Sequence, residues 1–187
     1  GTHDLSEIGD GCMEVEGSGA DVWGTSDQFH YVWREATGDF IMEATIEEFW
    51  TADSAHTNDW AKAGIMIRAT CAANSAYATA QWRTGPNIDP RRPGYLFAAR
   101  DDFGAGARDT GLTEQEGLFP QKGRLIKVGS TVTAYFMVDG AWVEKGTMEL
   151  PDEDGTDSFL VGLYVTSHNN DALCEARFCE ISYGEFS

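Results

Sequence analysis

Two sets of carboxylates have the residue types that acid–base chemistry on a glycosidic bond requires. Glu14 and Glu16 are two residues apart, and Glu43 and Glu47 share one face of an alternating segment. Glycoside hydrolysis uses two carboxylates at a set separation, one as the acid and one as the base or nucleophile. Neither set forms a Glu-x-Asp-x-x-Glu-like pattern, which would place such a pair on one strand. We therefore interpret both sets as solvated polar faces and predict no catalytic residues.

The acidic run 152–157 places three aspartates around Gly155, at Asp152, Asp154 and Asp157. Clustered carboxylate oxygens on a flexible turn are the ligands that calcium prefers. No Glu closes the loop at the spacing of an EF-hand. The run is therefore a candidate calcium site, and an acidic hairpin turn is the alternative interpretation.

Aromatic and polar residues alternate with alanines along 75–83, where Tyr77, Gln81 and Arg83 fall on one face. Saccharides are held by aromatic rings against their C–H faces and by planar polar groups that fix their hydroxyls. The segment therefore predicts a shallow saccharide platform, with ordinary cross-strand pairing as the alternative. Three further candidate ligand residues are Tyr95, Arg100 and Trp50.

Other polar and aromatic residues are assigned structural roles. Arg68 and Asp27 are predicted to form a buried ion pair. His168 follows a strand and is predicted to hydrogen-bond a neighbouring loop, with a role as a base as the alternative. The tryptophans interpreted as packing in the core or in turns are Trp23, Trp60 and Trp142.

Four cysteines occur, and none forms a C-x-x-C pair, so neither a zinc ribbon nor a thioredoxin-like site is expected. Cys174 and Cys179 lie five apart in one predicted strand, too distant and on opposite faces to bond to each other. Two pairings remain, of which we favour Cys12–Cys179 with Cys71–Cys174, because the first and last strands of a sandwich often pair. Four reduced thiols are the alternative. Disulfides would indicate an oxidising compartment.

The chain of 187 residues has 31 Asp and Glu against 13 Lys and Arg, a formal net charge of −18. This balance excludes proteins that grip phosphate backbones or anionic lipid headgroups through basic patches. No apolar run approaches the roughly 20 residues of a membrane helix. We therefore expect no nucleic-acid partner and no membrane insertion. The acidity indicates a solubilising surface or an adaptation to salty or calcium-containing water.

Alternation of apolar and polar residues with period two dominates the chain and predicts half-buried strands. The clearest runs are 39–48, 62–69, 75–83, 131–138 and 158–166. The dipeptide at 139–140, Asp-Gly, predicts a tight hairpin. With ten to twelve short strands and no capped helical stripe, the sequence predicts an all-β fold. We expect a two-sheet antiparallel β-sandwich formed by one domain over residues 1–187.

Five stretches carry a resemblance to a known family: 17–32, 60–68, 124–127, 139–142 and 161–170. They resemble the DUF1349 / concanavalin A-like (LamG-like jelly-roll) β-sandwich modules, collinearly over roughly residues 10–183. The strongest is 60–68 (Trp-Ala-Lys-Ala-Gly-Ile-Met-Ile-Arg). The resemblance implies a jelly-roll fold and an extracellular or cell-surface setting, because such modules are commonly appended to secreted microbial glycosidases. The chain departs from the pattern at 122–123, where Lys-Gly replaces the usual Trp, and at an apparent insertion over 85–93.

The sequence therefore predicts a secreted or cell-surface, non-catalytic module that binds a carbohydrate, with calcium as a candidate cofactor. One alternative is a polysaccharide-active enzyme of the jelly-roll type, which would need two carboxylates converging in a cleft. The other is a structural domain that binds another surface protein and exposes a large apolar patch.

Overall fold

The computed structural model describes residues 11–51, 58, 60–83, 93–115 and 117–186, and the regular elements of these ranges are all β-strands. The strands are β1 (Met13–Gly19), β2 (Asp21–Trp23), β3 (Ser26–Gln28), β4 (His30–Thr37), β5 (Asp39–Thr51), β6 (Lys62–Arg68), β7 (Tyr77–Arg83), β8 (Gly94–Arg100), β9 (Arg108–Asp109), β10 (Thr113–Glu114), β11 (Gln121–Val128), β12 (Thr131–Val138), β13 (Ala141–Glu149), β14 (Ser158–Thr166) and β15 (Asn169–Phe186). The described ranges thus contain fifteen strands where the sequence predicted ten to twelve, and eleven of them have seven residues or more. Within the same ranges no helix is long and apolar enough to span a membrane.

Two antiparallel sheets form the sandwich, which confirms the predicted fold class. Sheet I has the order β1-β15-β5-β11-β12-β13, and sheet II has the order β10-β8-β7-β6-β14-β4, with β9 also paired to β8. The predicted hairpin joins β12 to β13, with Val138 opposite Ala141. Asp139 and Gly140 have φ values of 50° and 80°, the left-handed pair that a two-residue hairpin turn requires.

The core lies between the two sheets and is centred on Trp82. The Trp82 ring meets Phe136 edge to face with the ring centroids 5.6 Å apart, and its Nε1 donates to Gln121 Oε1 at 2.6 Å. A Cβ on Gly123 would lie 2.7 Å from the Trp82 ring. Gly123 therefore makes room for Trp82, which gives the departure at 122–123 a packing reason.

Strands β6 and β8 are buried on both of their faces. On β6, Ala63, Ile65 and Ile67 point into the core between the sheets, whereas Met66 and Arg68 point away from it. All seven residues of β6 and of β8 are nonetheless buried. A strand of an outer sheet shows this pattern only when another layer covers the sheet from outside.

One of the two predicted disulfides forms. Cys12 is bonded to Cys179, which links the beginning of β1 to its neighbour β15. The predicted Cys71–Cys174 bond is wrong, because the two thiols lie on different sides of sheet II. Cys174 is buried in the core, where its thiol lies 3.5 Å from the Gly17 carbonyl oxygen. Cys71 is exposed in the loop between β6 and β7.

Candidate functional site

The β2–β3 hairpin is the layer that covers the outer face of sheet II. Asp21 pairs with Gln28 and Trp23 with Ser26, which closes a two-stranded ribbon. Val22 is fully buried in a small apolar cluster with Met66, Tyr77 and Tyr164 of sheet II. Burying one Val side chain contributes about 1.5–3 kcal/mol. The hairpin is thus packed onto the sheet and divides its outer face into two parts.

A buried ion network fixes the hairpin to the sheet. The Asp27 carboxylate accepts hydrogen bonds from Arg68 Nη1 at 2.7 Å and from Arg100 Nη1 and Nη2 at 2.6 and 2.7 Å. Arg100 Nη2 also donates to the carbonyl oxygens of Trp23 and Gly24. The predicted Arg68–Asp27 pair is confirmed, and Arg100 completes it. The Asp27 carboxylate compensates the burial of both guanidinium groups, so its removal would leave two like charges buried without a counter-charge.

A cleft of about 390 Å³ opens along the β2 edge of the hairpin. We call it the Trp cleft. Trp23 and Trp60 are 39% and 40% exposed and are two of the six exposed large apolar side chains in the described part of the chain. The cleft is lined by Asp21, Trp23, Trp60, Lys62, Gln81, Arg83 and Asp109.

The floor of the Trp cleft contains the side-chain amide of Gln81, whose N–H groups can donate to a ligand. Gln81 is 1% exposed, and its Oε1 accepts a hydrogen bond from the Tyr164 hydroxyl at 2.9 Å. The Tyr164 ring can reach Gln81 because it passes over Gly64, where a Cβ would lie 2.9 Å from Tyr164 Cε1. Among the described residues, the Gln81 side chain takes part in a hydrogen bond only as this acceptor. Because Gln81 lines the cleft, its amide nitrogen has donor capacity for a guest oxygen.

One wall of the Trp cleft is a chain of polar contacts. Lys62 Nζ pairs with Asp21 Oδ1, and His168 Nε2 lies 3.3 Å from Asp21 Oδ2. His168 Nδ1 lies 3.0 Å from the Asn58 amide nitrogen, so the prediction that His168 bonds a neighbouring loop is confirmed. Burial lowers the pKa of Lys62, and the neighbouring Asp21 opposes that shift. Arg83 lies opposite Lys62 on β7, with its guanidinium carbon 4.7 Å from the Trp60 ring centroid.

The structure separates the six predicted ligand residues. Gln81 and Arg83 line the Trp cleft. Tyr77 and Arg100 share that face of sheet II, but the β2–β3 hairpin covers them completely.

The other two predicted ligand residues lie outside the cleft. Tyr95 points into the core instead, 6% exposed, with its ring centroid 4.6 Å from that of Phe136. Trp50 lies half-buried on β5 of sheet I, opposite Glu175. Only part of the predicted platform is therefore brought together.

The sequence interpretation missed the two tryptophans of the cleft. Trp23 and Trp60 were expected to pack in the core or in turns, whereas both are about 40% exposed and line the cleft. For Trp23 the signal lies in the sequence itself, because it precedes Gly24 at a hairpin tip. A bulky apolar side chain at an exposed turn has no packing reason and is a candidate contact residue. Trp142 does pack, with the Arg124 guanidinium 4.0 Å above its ring.

Two of the carboxylates singled out in the sequence, Glu43 and Asp157, form ion pairs outside the Trp cleft. Glu43 lies on sheet I, 3.4 Å from Arg124 and 3.5 Å from Lys122. Asp157 binds Lys127 Nζ at 2.8 Å, so the acidic turn is tied to sheet I.

The other two carboxylates of the predicted calcium site hold the turn itself. Asp154 accepts from Thr156 N at 3.0 Å, and Asp152 accepts from Asp157 N at 2.9 Å. Among the described residues no three His, Cys, Asp or Glu side chains group closely enough to hold a metal ion. Calcium binding by Asp152, Asp154 and Asp157 stays a prediction.

No protein-family model and no curated protein matches the sequence. The DUF1349 resemblance therefore stays a prediction, while the sandwich fold that it implied is confirmed. Many solved structures share that fold. One is a functionally unknown protein from Saccharomyces cerevisiae, at a TM-score of 0.69 and 12% identity over 96% of this chain and 91% of that one.

Two further solved structures come from carbohydrate-related proteins. A xylan β-1,4-xylosidase from Bacillus halodurans has a TM-score of 0.65 at 12% identity, over 93% of this chain and 33% of that chain. This chain therefore corresponds to about a third of that enzyme. A legume lectin-like domain from Entamoeba histolytica has a TM-score of 0.54 at 9% identity, over 93% of this chain and 90% of the domain. At these identities the likeness shows the fold alone.

Proposed function

We propose that this protein binds a neutral saccharide in the Trp cleft. The observation that carries the proposal is the pair of exposed tryptophans, Trp23 and Trp60, beside the buried Gln81 amide with its spare donors. Aromatic rings supply faces on which the C–H side of a sugar ring stacks, and a fixed amide orients a hydroxyl. The cleft volume lies within the range of small-molecule sites.

The charges of the Trp cleft favour an uncharged ligand. Asp21 and Asp109 balance Lys62 and Arg83, so the lining residues that the structure describes carry two charges of each sign. The remainder of the molecule is strongly acidic, with a formal net charge of −18 for the chain. A sulfated or uronic polymer is negatively charged, so the negative charge of the protein would repel it. A neutral glycan meets no such barrier and can use the polar groups as hydrogen-bond partners.

The structural neighbours and the disulfide support the setting of this proposal. The neighbours include a lectin-like domain and a xylosidase, so carbohydrate recognition on this fold has precedents. A disulfide such as Cys12–Cys179 persists in oxidising compartments. We therefore place the protein outside the cell or at the cell surface, as a non-catalytic binding module.

The test is a binding panel read out by tryptophan fluorescence and calorimetry. The panel contains xylan, β-glucan, mannan and starch as neutral polymers, and alginate as an acidic one. We expect at least one neutral polymer to bind and alginate to bind more weakly. Replacing either exposed ring, Trp23→Ala or Trp60→Ala, should lower the affinity by about tenfold or more, because truncated aromatic anchors commonly cost over 1.4 kcal/mol.

Trp142→Ala is the matched control, because Trp142 lies on the outer face of sheet I and packs against Arg124. It should leave saccharide affinity unchanged. An empty panel, or equal losses in all three variants, would contradict a saccharide site in the Trp cleft. If no polymer of the panel binds, the alternative function, an interaction with another surface protein, would be favoured.

A second candidate function, action on a polysaccharide, is favoured by the contacts of Lys62. Lys62 and Asp21 line the cleft and form an ion pair, and His168 Nε2 extends this chain of acid–base groups from Asp21. Burial lowers the pKa of Lys62, which is the direction a catalytic base needs. Release of reducing ends or unsaturated products from a panel polymer, abolished in Lys62→Met but retained in Lys145→Met, would establish an enzyme. Unchanged polymers after long incubation would support the binding module.

A further inference from the structure

A second concavity lies on the other side of the β2–β3 hairpin. It has a volume of about 390 Å³ and is lined by β3, by the first residues of β4 and by the loop after β6. We call it the Cys71 groove. The lining residues that matter here are Gln28, Phe29, Tyr31, Trp33, Arg68 and Cys71.

The Trp cleft and the Cys71 groove flank one ribbon on one sheet face. Asp21 and Trp23 of β2 line the cleft, whereas Gln28 of β3 lines the groove. Asp21 and Gln28 are direct partners in the ribbon. Paired strands lie about 4.8 Å apart. A ligand that extends from the Trp cleft across the β2–β3 hairpin therefore crosses only the width of two strands before it reaches the Cys71 groove.

The aromatic residues of the Cys71 groove are held in place from below. The Phe29 ring lies 5.6 Å from the Tyr31 ring and meets Tyr164 edge to face at 5.9 Å. The Tyr31 hydroxyl lies 2.9 Å from the carbonyl oxygens of both Met66 and Leu160. The Arg68 guanidinium carbon lies 5.0 Å from the Phe29 ring centroid. Rings fixed in this way lose little entropy when a ligand binds, which favours recognition of a rigid apolar face.

Trp33 extends this row of rings on β4. It lies half-buried and lines the groove. Its inward-pointing neighbour Val32 is 3% exposed and fills the core position. The groove thus repeats the composition of the cleft, with aromatic rings beside polar side chains.

We propose that the ligand is a linear polysaccharide chain that crosses the β2–β3 hairpin and occupies the Trp cleft and the Cys71 groove together. This inference rests on the proposed saccharide function of the Trp cleft. Each concavity is at the small end of the range for ligand sites, so one or two sugar units fill it. A chain spanning both gains from two linked contacts, and a terminal disaccharide gains from one only. The ligand class is therefore an internal stretch of a polymer.

The first test compares a dimer with a hexamer of the panel polymer that binds, which for xylan means xylobiose and xylohexaose. We expect the hexamer to bind about tenfold tighter or more. Trp33→Ala should lower hexamer affinity by about tenfold and leave dimer affinity within about twofold, whereas Trp60→Ala should weaken both. Equal affinities of dimer and hexamer, with no effect of Trp33→Ala, would overturn the inference while the cleft proposal stands.

Protection of Cys71 from alkylation tests the groove without any substitution. Cys71 is exposed, whereas Cys174 is buried and its burial raises the pKa of that thiol to about 12. N-ethylmaleimide at neutral pH should therefore label Cys71 first. A saturating hexamer of the panel polymer that binds, xylohexaose in the case of xylan, should slow this labelling at least about fivefold, and the saturating dimer should not. If Cys71 is labelled as fast with saturating hexamer as it is without ligand, the inference is overturned. If no panel member binds at all, both proposals fail.

Discussion

The ion network around Asp27 shows how one residue holds a functional surface in place. Its carboxylate binds two guanidinium groups at 2.6–2.7 Å, and the Asp27 and Arg100 side chains are completely buried. The pair with Arg68 was predicted from the sequence, but the third member was assigned to ligand binding. The network joins the β2–β3 hairpin to β6 and β8, so it positions Trp23 at the Trp cleft and Gln28 at the Cys71 groove.

Removing that carboxylate should destabilise the protein strongly. Asp27→Ala leaves the Arg68 and Arg100 charges buried without compensation, and such losses cost about 3–5 kcal/mol. Urea denaturation at neutral pH measures the change in the free energy of unfolding. Asp101→Ala is the matched control, because its pair with Arg108 is about half exposed and should contribute at most about 1 kcal/mol. Equal effects of the two substitutions would show that the network does not stabilise the hairpin.

Among the elements, the pairing of β4 with β14 depends on a glycine. Gly162 lies opposite Trp33, and a Cβ there would overlap the Val32 carbonyl oxygen and lie 2.7 Å from Trp33 Cα. The atoms in the way belong to backbone, which cannot move aside as a flexible side chain can. Gly64 on β6 plays a related part, since its missing side chain leaves space for the Tyr164 ring. Both glycines permit close approaches beneath the two concavities.

Gly162→Ala should therefore weaken the sandwich by at least about 2 kcal/mol, because the clash forces β4 away from β14. The free energy of unfolding in urea reports this loss. Gly106→Ala serves as the control, since a Cβ at that position meets no atom within 4 Å and should change stability by less than about 0.5 kcal/mol. Stability within that margin in Gly162→Ala would contradict the close approach of the two strands.

At the scale of the whole molecule, the excess of negative charge opposes the compact state. The chain has a formal net charge of −18, so its like charges repel each other over the entire surface. Ions screen that repulsion over the Debye length, which falls from about 30 Å at about 0.01 M salt to about 3 Å at about 1 M. The free energy of unfolding should thus increase with salt concentration. Salt also weakens surface ion pairs, but we expect the reduced repulsion to be the larger effect.

We expect the melting temperature to rise by several degrees when NaCl is raised from about 0.01 M to about 1 M. Differential scanning calorimetry at fixed pH measures the shift, with sucrose as a control for effects of solute alone. A constant or falling melting temperature would show that local ion pairs outweigh the net charge. An additional rise with CaCl₂ at equal ionic strength, lost in Asp154→Ala, would support calcium at Asp152, Asp154 and Asp157.

The strand pattern, the fold class and one disulfide could be predicted from the sequence because each depends on local or repeated information. Period-two alternation identified β5, β6, β7, β12 and β14 closely, since it reports which side chains face an apolar layer. The Asp139-Gly140 turn is encoded by two residues that tolerate positive φ. Cys12–Cys179 followed from the expectation that the first and last strands pair.

The candidate site was decided by the tertiary structure. Alternation distinguishes the two faces of a strand, but it does not reveal that a distant segment covers one of them. Tyr77, Gln81 and Arg100 share an outward face, yet the β2–β3 hairpin buries Tyr77 and Arg100 and leaves Gln81 at the floor of a cleft. Trp23 and Trp60 lie 37 residues apart in the sequence and line one cleft only because that hairpin lies across sheet II. Surface chemistry assembled from remote segments has no local signature, because it depends on which layer packs over which.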